Sequence, residues 1–278
     1  MTIKNLPASI HQRLLNIARD ENRPFNELLK NFAIERFLFR LSQTKYREMF
    51  VLKGAQMLKI WSGNEVRPTM DIDLLGKTFN DAKDLIKIIG ECLSLEIDDG
   101  VIFDSSSIET DVIRKETEYQ GTSITAKGSL GKIRLYLQID VGFGDVVVPS
   151  PVEIELPQLL DLGSPVLLGY TPESAIAEKY HAMVMLDLNN TRLKDFYDIW
   201  LLSRTVGLDK GILAEAIREV FVRRSTDLPS EPPTALTQIF ANSEVKKEQW
   251  RMFLRKNRLD TQLSLEEVVQ EVRSLIFP

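Results

Sequence analysis

The 278-residue chain is poor in the residues that build zinc sites and disulfide frameworks. Cys92 is the only cysteine, so no intramolecular disulfide can form, and a reducing, cytoplasmic setting is expected. The only histidines are His11 and His181, which lie far apart in the sequence. Because zinc sites draw on clustered His and Cys side chains, zinc is not expected. Any metal should be a hard, oxygen-ligated ion, Mg²⁺ or Mn²⁺.

The chain also lacks an excess of positive charge and any long apolar run. Its formal net charge is -5, so contact with a nucleic acid would need a local basic patch. No apolar stretch reaches the length of a membrane span, and the N-terminus has no signal-peptide core, so no membrane partner is expected. Its 278 residues are enough for one large or two modest domains, and a hydrophobic content of 44% is ordinary for a globular protein.

Two carboxylates separated by one residue lie in an apolar stretch. If this stretch is a strand, Asp71 and Asp73 point to the same face, because side chains alternate along a strand. Ile72 and Leu74 then point into a core. Like charges this close repel each other, and a divalent cation neutralises such a pair. The stretch therefore predicts a metal site, with a solvated strand end as the alternative.

Two further pieces extend this site along the chain. Gly54 permits a turn with positive φ, followed by free backbone N–H groups at the start of a helix. Asp140 lies near the end of the run 132–141, in which apolar and polar residues alternate. A glycine loop for a triphosphate and three carboxylates suit two-metal phosphoryl chemistry. Asp140 would complete the second metal site or take a proton from an attacking hydroxyl; an ion pair with Arg134 is the alternative.

The remaining pattern predicts an α+β fold in three parts. Residues 1–50 form a helical hairpin that packs on the core, 51–170 form the core with a mixed β-sheet, and 171–278 form a mainly helical domain. Helical periodicity predicts helices over 6–20, 26–41, 81–95 and 171–188, and a further one from 192. Alternation predicts strands over 100–103, 108–114, 122–126 and 132–141.

One concentrated basic stretch lies near the C-terminus of this acidic chain. It is interleaved with Trp250 and Phe253. Aromatic residues between cations suit contact with RNA, and a solvated helix face is the alternative. The candidate RNA-binding residues are Lys246, Lys247, Arg251, Arg255, Lys256 and Arg258.

The ordered set of a glycine loop, the Asp71–Asp73 strand and the later Asp140 strand resembles the DNA polymerase β-like nucleotidyltransferase superfamily. The similarity narrows to the AbiEii family of nucleotidyltransferase toxins, which includes the MenT toxins, and it runs nearly end to end. The motifs that carry it are QRLL at 12–15, FVLKGA at 50–55, RPTMDIDL at 67–74 and KDFYD at 194–198. The resemblance implies a nucleotidyltransferase fold with a mixed sheet, flanking helices and a helical C-terminal domain.

The resemblance also implies an activity. The family supplies the toxin half of bacterial toxin–antitoxin and abortive-infection systems, and the resemblance implies transfer of a nucleotide from an NTP to RNA. In characterised relatives the acceptor is the 3′ end of tRNA. The implied cofactor is Mg²⁺ (or Mn²⁺). The implied partners are an NTP, a tRNA or other RNA acceptor, and a cognate antitoxin.

The resemblance also implies roles for Lys179 and for an aspartate in the next helix, and it shows one departure at Ala55. Lys179 matches a family lysine and would place a compact charge on the triphosphate. Either Asp195 or Asp198 matches a family aspartate in the next helix, with surface pairing to Lys194 as the alternative for both. Ala55 departs from the Gly-Ser or Gly-Gly of many members, which removes a hydroxyl contact to phosphate and keeps the backbone N–H.

These arguments define the predicted site residues. The predicted catalytic residues are Asp71, Asp73, Asp140, Lys179, Asp195 and Asp198, of which Asp71, Asp73 and Asp140 are the metal ligands. The predicted nucleotide-binding residues are Lys53, Gly54, Ala55, Arg67 and Lys179. Arg67 either contacts a phosphate or holds Asp71. Two other functions stay open: a small-molecule nucleotidyltransferase of the antibiotic-modifying kind, and a non-catalytic nucleotide-binding partner.

Overall fold

A mixed β-sheet carries the candidate carboxylates in this computed structural model, which describes residues 5–63, 67–77, 81–114 and 120–277. Its strands are β1 (Phe50–Lys53), β2 (Ile72–Gly76), β3 (Val101–Arg114), β4 (Gln120–Leu130), β5 (Ile133–Phe143), β6 (Val152–Glu155) and β7 (Val166–Gly169). Within the described residues they form one sheet in the order β3-β4-β5-β2-β1-β7-β6. The pairs β2–β5 and β1–β7 are parallel, and the other neighbouring pairs are antiparallel.

Helices make up most of the remaining described chain. They are α1 (Leu6–Asp20), α2 (Phe25–Ser42), α3 (Ala55–Ser62), α4 (Ala82–Leu93), α5 (Pro172–Leu186), α6 (Leu193–Thr205), α7 (Lys210–Arg223), α8 (Gln238–Ala241), α9 (Glu244–Asn257) and α10 (Leu265–Ile276). Helix α2 packs on β5 and β7, and α4 packs on β3. The mixed sheet with flanking helices confirms the predicted α+β fold class. None of these helices is both long enough and apolar enough to cross a membrane.

Strand β5 shows why the sequence pattern predicts this sheet. Leu135, Leu137 and Ile139 are buried, whereas Tyr136 and Gln138 between them are exposed. A strand with one face on a core and one face in solvent requires this alternation. The side chain of Asp140 therefore lies on the polar face, as predicted.

The runs 100–103 and 108–114, predicted as separate strands, belong to the single strand β3. Its pairing with β4 shifts register between Asp104 and Glu109, the sign of a bulge. There the Asp104 carboxylate accepts hydrogen bonds from the Ser106 N–H at 2.9 Å and the Ser106 hydroxyl at 2.6 Å. This local turn chemistry interrupts the alternation, so the sequence pattern divides one strand into two.

Helix α2 contains buried arginines that its apolar periodicity does not predict. The Arg40 guanidinium donates to both carboxylate oxygens of Asp99, at 2.6 and 3.0 Å, and to the Val101 carbonyl at 2.9 Å. The Arg36 guanidinium donates to the Leu162 carbonyl at 2.7 Å. Planar guanidinium groups can satisfy several carbonyl and carboxylate oxygens at once, which makes their burial tolerable. These contacts fasten α2 to distant segments of the chain.

The described residues divide into two units. The first comprises those within Met1–Gln56, Pro68–Gly144 and Val152–Gly169, and it contains the sheet. The second comprises those within Met57–Arg67, Asp145–Pro151 and Tyr170–Pro278, and it is mainly helical. The predicted division into 1–50, 51–170 and 171–278 stays a prediction.

Aromatic pairs fill the core of the helical unit. The rings of Phe196 on α6 and Phe240 on α8 stack with centroids 5.1 Å apart, and Tyr180 on α5 lies 5.5 Å from Phe221 on α7. Helix α5 begins at Pro172, directly after Thr171, as the sequence predicts. This core holds α5 and α6, the helices that carry Lys179, Asp195 and Asp198.

Candidate active site

Two of the predicted carboxylates lie side by side on neighbouring strands of the first unit. Strands β2 and β5 run parallel, and in their register Asp73 is the partner of Asp140. Neighbouring strands are about 4.8 Å apart, and register partners project to the same face. Asp71 directly precedes β2. The pairing of Ile72 with Ile139, both fully buried, fixes this register from the core side.

Gly54 lies against the carboxylate of Asp73. It has φ +70, and a Cβ added to it would lie 1.9 Å from Oδ2 of Asp73. Only glycine combines this backbone conformation with this close approach at low cost. Helix α3 begins at the next residue, Ala55, which is buried. Lys53, at the end of β1, is the antiparallel register partner of Asp73.

Hydroxyl groups hold the other two carboxylates. The Thr69 hydroxyl donates to Oδ1 of Asp71 at 2.8 Å. The Ser123 hydroxyl, on β4, donates to Oδ1 of Asp140 at 2.6 Å, and the Gln138 amide donates more weakly at 3.3 Å. In the described chain Asp140 is therefore held by neutral donors, and the alternative ion pair with Arg134 is not formed. Neutral donors leave the negative charge of Asp140 uncompensated.

The donor chemistry of this carboxylate group fits a divalent metal. Asp71, Asp73 and Asp140 offer oxygen ligands alone, which Mg²⁺ and Mn²⁺ prefer. The register places Asp73 and Asp140 within reach of one ion. Among the described residues, no three His, Cys, Asp or Glu side chains lie close enough together to hold one ion. The pair Asp73–Asp140 is thus the best-formed part of the candidate metal site.

Lys30 is a neighbour of this site that the sequence analysis missed. Its ammonium group, projecting from α2, donates a hydrogen bond to the Tyr136 carbonyl on β5. Burial lowers the pKa of Lys30, and the negative charge of Asp71 opposes that shift. Lys30 lies between Leu29 and Phe32, and the apolar periodicity of this helix predicts only its buried residues. A lysine between two apolar residues is the one sequence feature that points to it.

A second cluster of charges lies in the helical unit. The Lys179 ammonium, on α5, donates to Oδ1 of Asp195 at 3.0 Å and to Oδ2 of Asp198 at 2.7 Å. Both aspartates are fully buried on α6. The alternative of surface pairing with Lys194 does not hold, because Lys194 is exposed while both carboxylates face the interior. A lysine shared by two buried aspartates explains why Lys179, Asp195 and Asp198 occur together.

Two arginines complete the second cluster. Arg67 donates through Nε and a terminal nitrogen to the two oxygens of Asp198, each at 2.9 Å. Nε of Arg192 lies 2.6 Å from Oδ2 of Asp195, in an ion pair that is not aligned as a hydrogen bond. Three cations thus surround two carboxylates. One alternative pairs Arg67 with Asp71; the two 2.9 Å hydrogen bonds pair it with Asp198 instead.

Burial and charge oppose each other in this cluster. Burial alone would raise the pKa of Asp198, but the charges of Lys179 and Arg67 outweigh it and lower the pKa to about 2. Burial likewise opposes ionisation of Asp195, whose pKa Lys179 and Arg192 hold below its usual value. Burial opposes the charge of Lys179, and the two aspartates raise its pKa above the usual value. Asp195, Asp198 and Lys179 therefore stay ionised at neutral pH.

The predicted RNA-binding stretch forms α9 and its C-terminal end. Lys246 does not face solvent as that prediction requires: it is buried, and its ammonium donates to the Asn190 carbonyl at 2.8 Å. Trp250 is buried as well, and its indole N–H donates to the Leu263 carbonyl at 2.8 Å. The other basic residues, at exposed or partly exposed positions, are Lys247, Arg251, Arg255, Lys256 and Arg258.

The fold that carries the carboxylate site resembles two crystal structures from Helicobacter pylori. JHP933 gives a TM-score of 0.53 at 14% sequence identity, with 90% of each chain covered. A second protein, named for a proposed nucleotidyltransferase activity, gives a TM-score of 0.52 at 16% identity and covers 90% of this chain and 93% of its own. At these identities the likeness shows the fold alone. No curated protein matches the chain.

The family follows from the sequence itself. The family model described as Nucleotidyl transferase AbiEii toxin, Type IV TA system matches residues 36–271. The chain therefore belongs to the AbiEii nucleotidyl transferase toxin family, which confirms the family resemblance; the motifs at 50–55, 67–74 and 194–198 lie inside the matched range, and the one at 12–15 lies outside it. The matched range contains every predicted site residue. Lys30 lies outside it.

Proposed function

We propose that this protein transfers a nucleoside monophosphate from an NTP to RNA, with the 3′ acceptor end of tRNA as the expected target. The observation that carries the proposal is the register pair Asp73–Asp140, with Gly54 in contact with Asp73. Carboxylates fixed side by side near the start of a helix suit the positioning and charge stabilisation that phosphoryl transfer needs. Membership of a nucleotidyl transferase family supports transfer of the whole nucleotide.

The carboxylates have distinct roles in this proposal. The carboxylates of Asp71, Asp73 and Asp140 would hold Mg²⁺ or Mn²⁺, and that ion would neutralise phosphate charge and orient the phosphates. The first N–H groups of α3, after Gly54, lack partners within the helix and suit a phosphate. Ala55 contributes its N–H and no hydroxyl. The Thr69 and Ser123 hydroxyls hold Asp71 and Asp140 in position before substrate arrives.

In the transfer step, the oxygen of the RNA 3′-hydroxyl forms a bond to the α-phosphorus of the NTP. The bond from that phosphorus to the bridging oxygen of the β-phosphate breaks, and pyrophosphate leaves. The proton of the hydroxyl passes to Oδ2 of Asp140, while Oδ1 keeps its hydrogen bond from Ser123. A general base must lie within hydrogen-bond reach of the proton it takes, and fixing one carboxylate oxygen directs the other.

The charged cluster of the helical unit is assigned to an anionic group of the substrate. Lys179, Arg67 and Arg192 exceed Asp195 and Asp198 by one positive charge. We assign Lys179 and Arg67 to phosphate binding, and we assign Asp198 as the family aspartate because its carboxylate accepts hydrogen bonds from both of them. Asp195 then positions Lys179 together with Arg192.

The test is an in vitro transfer assay. Purified protein is incubated with total tRNA, Mg²⁺ and each α-³²P-labelled NTP in turn, with and without a chelator. We expect label in tRNA that depends on the metal and falls at least 100-fold in Asp73→Asn and Asp140→Asn. Asp111→Asn is the matched control, because it makes the same change on an exposed residue of the same sheet.

Other outcomes would overturn the proposal in different ways. Label on RNA other than tRNA would keep the reaction and replace the target. Label on an aminoglycoside, with none on RNA, would identify a small-molecule nucleotidyltransferase. NTP binding without transfer to any acceptor would identify a non-catalytic partner. Equal activity in Asp140→Asn and the wild type would refute the assigned roles.

Family membership also supports an antitoxin as a partner. We propose that a cognate antitoxin relieves the growth inhibition caused by this protein. Growth of cells that express the wild-type protein should stop and should resume when the antitoxin is co-expressed. Asp73→Asn should not inhibit growth at equal expression, and inhibition by that variant would separate toxicity from the transfer reaction.

A further inference from the structure

The outer face of β4 and β5 is open, polar and centred on an aromatic residue. Tyr136 is 54% exposed, more than any other aromatic side chain in the described residues. Its ring offers a flat apolar area on which a base could stack, and its hydroxyl stays in solvent. Within the first unit, no other described segment covers this ring.

Cations surround Tyr136 on the same face. Lys127 on β4 is its antiparallel register partner, so the two side chains project together. Arg134 lies two residues earlier on β5 and therefore on the same face. The Lys30 ammonium reaches the Tyr136 backbone carbonyl. We call Lys127, Arg134 and Tyr136 the β5 platform.

The cations of the β5 platform are not neutralised by close ion pairs. In the described chain, Arg134 forms no ion pair or hydrogen bond through its guanidinium. Lys127 faces Asp104 across β4 and β3 without forming an ion pair. Acidic residues on this face lie towards the edge strand β3, with Glu109 next along it. A polyanion on the platform would therefore follow β5 and avoid β3.

The β5 platform is continuous with the candidate carboxylates. Tyr136, Gln138 and Asp140 alternate along the same face of β5, and the Gln138 amide donates to Asp140 at 3.3 Å. Asp140 lies four positions along the strand from Tyr136, a distance of about 13 Å. A single-stranded end a few nucleotides long spans this distance.

We propose that the β5 platform binds the single-stranded 3′ end of the acceptor RNA, with a base stacked on Tyr136 and phosphates at Lys127 and Arg134. The inference rests on the proposed function and names where its acceptor lies. Sheet surfaces with exposed aromatic residues and flanking cations bind single strands in this way. The terminal hydroxyl would then lie at Asp140, with upstream nucleotides along β5.

The predicted stretch on α9 fits a single strand less well. Glu248 pairs with Arg251 at 2.7 Å and with Arg255 at 3.4 Å, and Glu244 pairs with Lys247 at 3.5 Å. These acids neutralise part of the charge that the sequence pattern assigns to RNA. With Trp250 buried, α9 also offers no fully exposed aromatic ring for stacking.

The test measures binding of a fluorescently labelled single-stranded RNA ending in CCA, by anisotropy, at several salt concentrations. Tyr136→Ala should weaken binding about 10-fold, and Tyr136→Phe should restore it, because stacking needs the ring and not the hydroxyl. Lys127→Ala and Arg134→Ala should each reduce the slope of log affinity against log salt by about 1. Val112→Ala, an exposed residue on the opposite face, is the control.

Each outcome has a defined meaning. Equal affinity of Tyr136→Ala and the wild type overturns the inference, as does absence of RNA binding by the wild type. If the double variant Arg251→Ala, Arg255→Ala loses RNA binding and Tyr136→Ala does not, the RNA site lies on α9 and the inference is wrong. If Tyr136→Ala weakens RNA binding but the wild type transfers no nucleotide in the labelling assay, the β5 platform is kept and the proposed reaction is refuted. Unchanged circular dichroism excludes unfolding as the cause.

Discussion

Replacing Gly54 by alanine tests whether contact between the glycine loop and Asp73 is needed for activity. The backbone at Gly54 has φ +70, a conformation that costs other residues roughly 1–2 kcal/mol. The new Cβ would also lie 1.9 Å from Oδ2 of Asp73, so the carboxylate or the loop must move. Overpacking of this kind costs about 1–3 kcal/mol more. We expect the free energy of unfolding to fall by about 2–5 kcal/mol in total.

The effect on activity should exceed the effect on folding. Misplacing a catalytic group by about 1 Å costs on the order of 100-fold in rate. Asp73 cannot keep both its position and its register contact with Asp140 once Gly54 carries a Cβ. The labelling assay should therefore show at least a 100-fold loss in Gly54→Ala, under conditions where urea unfolding shows that the variant is folded.

Gly63→Ala separates the backbone cost from the clash. Gly63 has φ +64, and nothing lies within 4 Å of an added Cβ. This variant should lose roughly 1–2 kcal/mol of stability and keep its transfer activity. The role given to the Gly54–Asp73 contact would be refuted if Gly54→Ala kept wild-type transfer activity. It would also be refuted if Gly54→Ala and Gly63→Ala lost the same stability and had the same activity.

Three other changes test the charged cluster and the position of Asp140. Lys179→Met leaves two buried carboxylates without their shared cation and should cost about 3–5 kcal/mol in urea unfolding; adding Asp195→Asn should recover part of this loss. Asp198 has a lowered folded-state pKa, so its contribution is complete above pH 4 and is lost as the pH falls towards 2. The wild type should lose roughly 2 kcal/mol from this group over that range, a loss that Asp198→Asn should lack. Ser123→Ala removes the 2.6 Å hydrogen bond to Asp140 and should slow transfer about 10-fold with less than about 1 kcal/mol of destabilisation; an unchanged rate would show that Asp140 needs no positioning.

The parts of the fold that local patterns determine are predictable from the sequence. Alternation along 132–141 places Asp140 on a polar strand face, and the helices α1 and α2 follow from apolar periodicity. The pairing of Asp73 with Asp140 cannot be predicted from local patterns. It joins two strands about 65 residues apart in parallel register, which no local pattern encodes. Only the order of a glycine loop, the Asp71–Asp73 strand and the Asp140 strand indicates that these carboxylates meet.

Charged residues were harder to place than apolar ones. The patterns of charge do not show whether a cation is solvated, so Lys246 was predicted to contact RNA although its ammonium is buried against a carbonyl. For the same reason Lys30 was missed beside Asp71, and Arg40 was missed as the partner of Asp99. Burial of a cation depends on oxygen atoms that distant segments supply.

The most direct test of nucleotide transfer compares α-³²P-labelled and γ-³²P-labelled forms of the same NTP on tRNA, with and without periodate oxidation of its 3′ end. The proposed reaction predicts that the α label enters intact tRNA, that the γ label leaves as pyrophosphate, and that the oxidised tRNA accepts neither. Entry of the γ label would show phosphoryl transfer instead. Labelling of oxidised tRNA would show that the acceptor is not the 3′-hydroxyl, and either result would contradict the account.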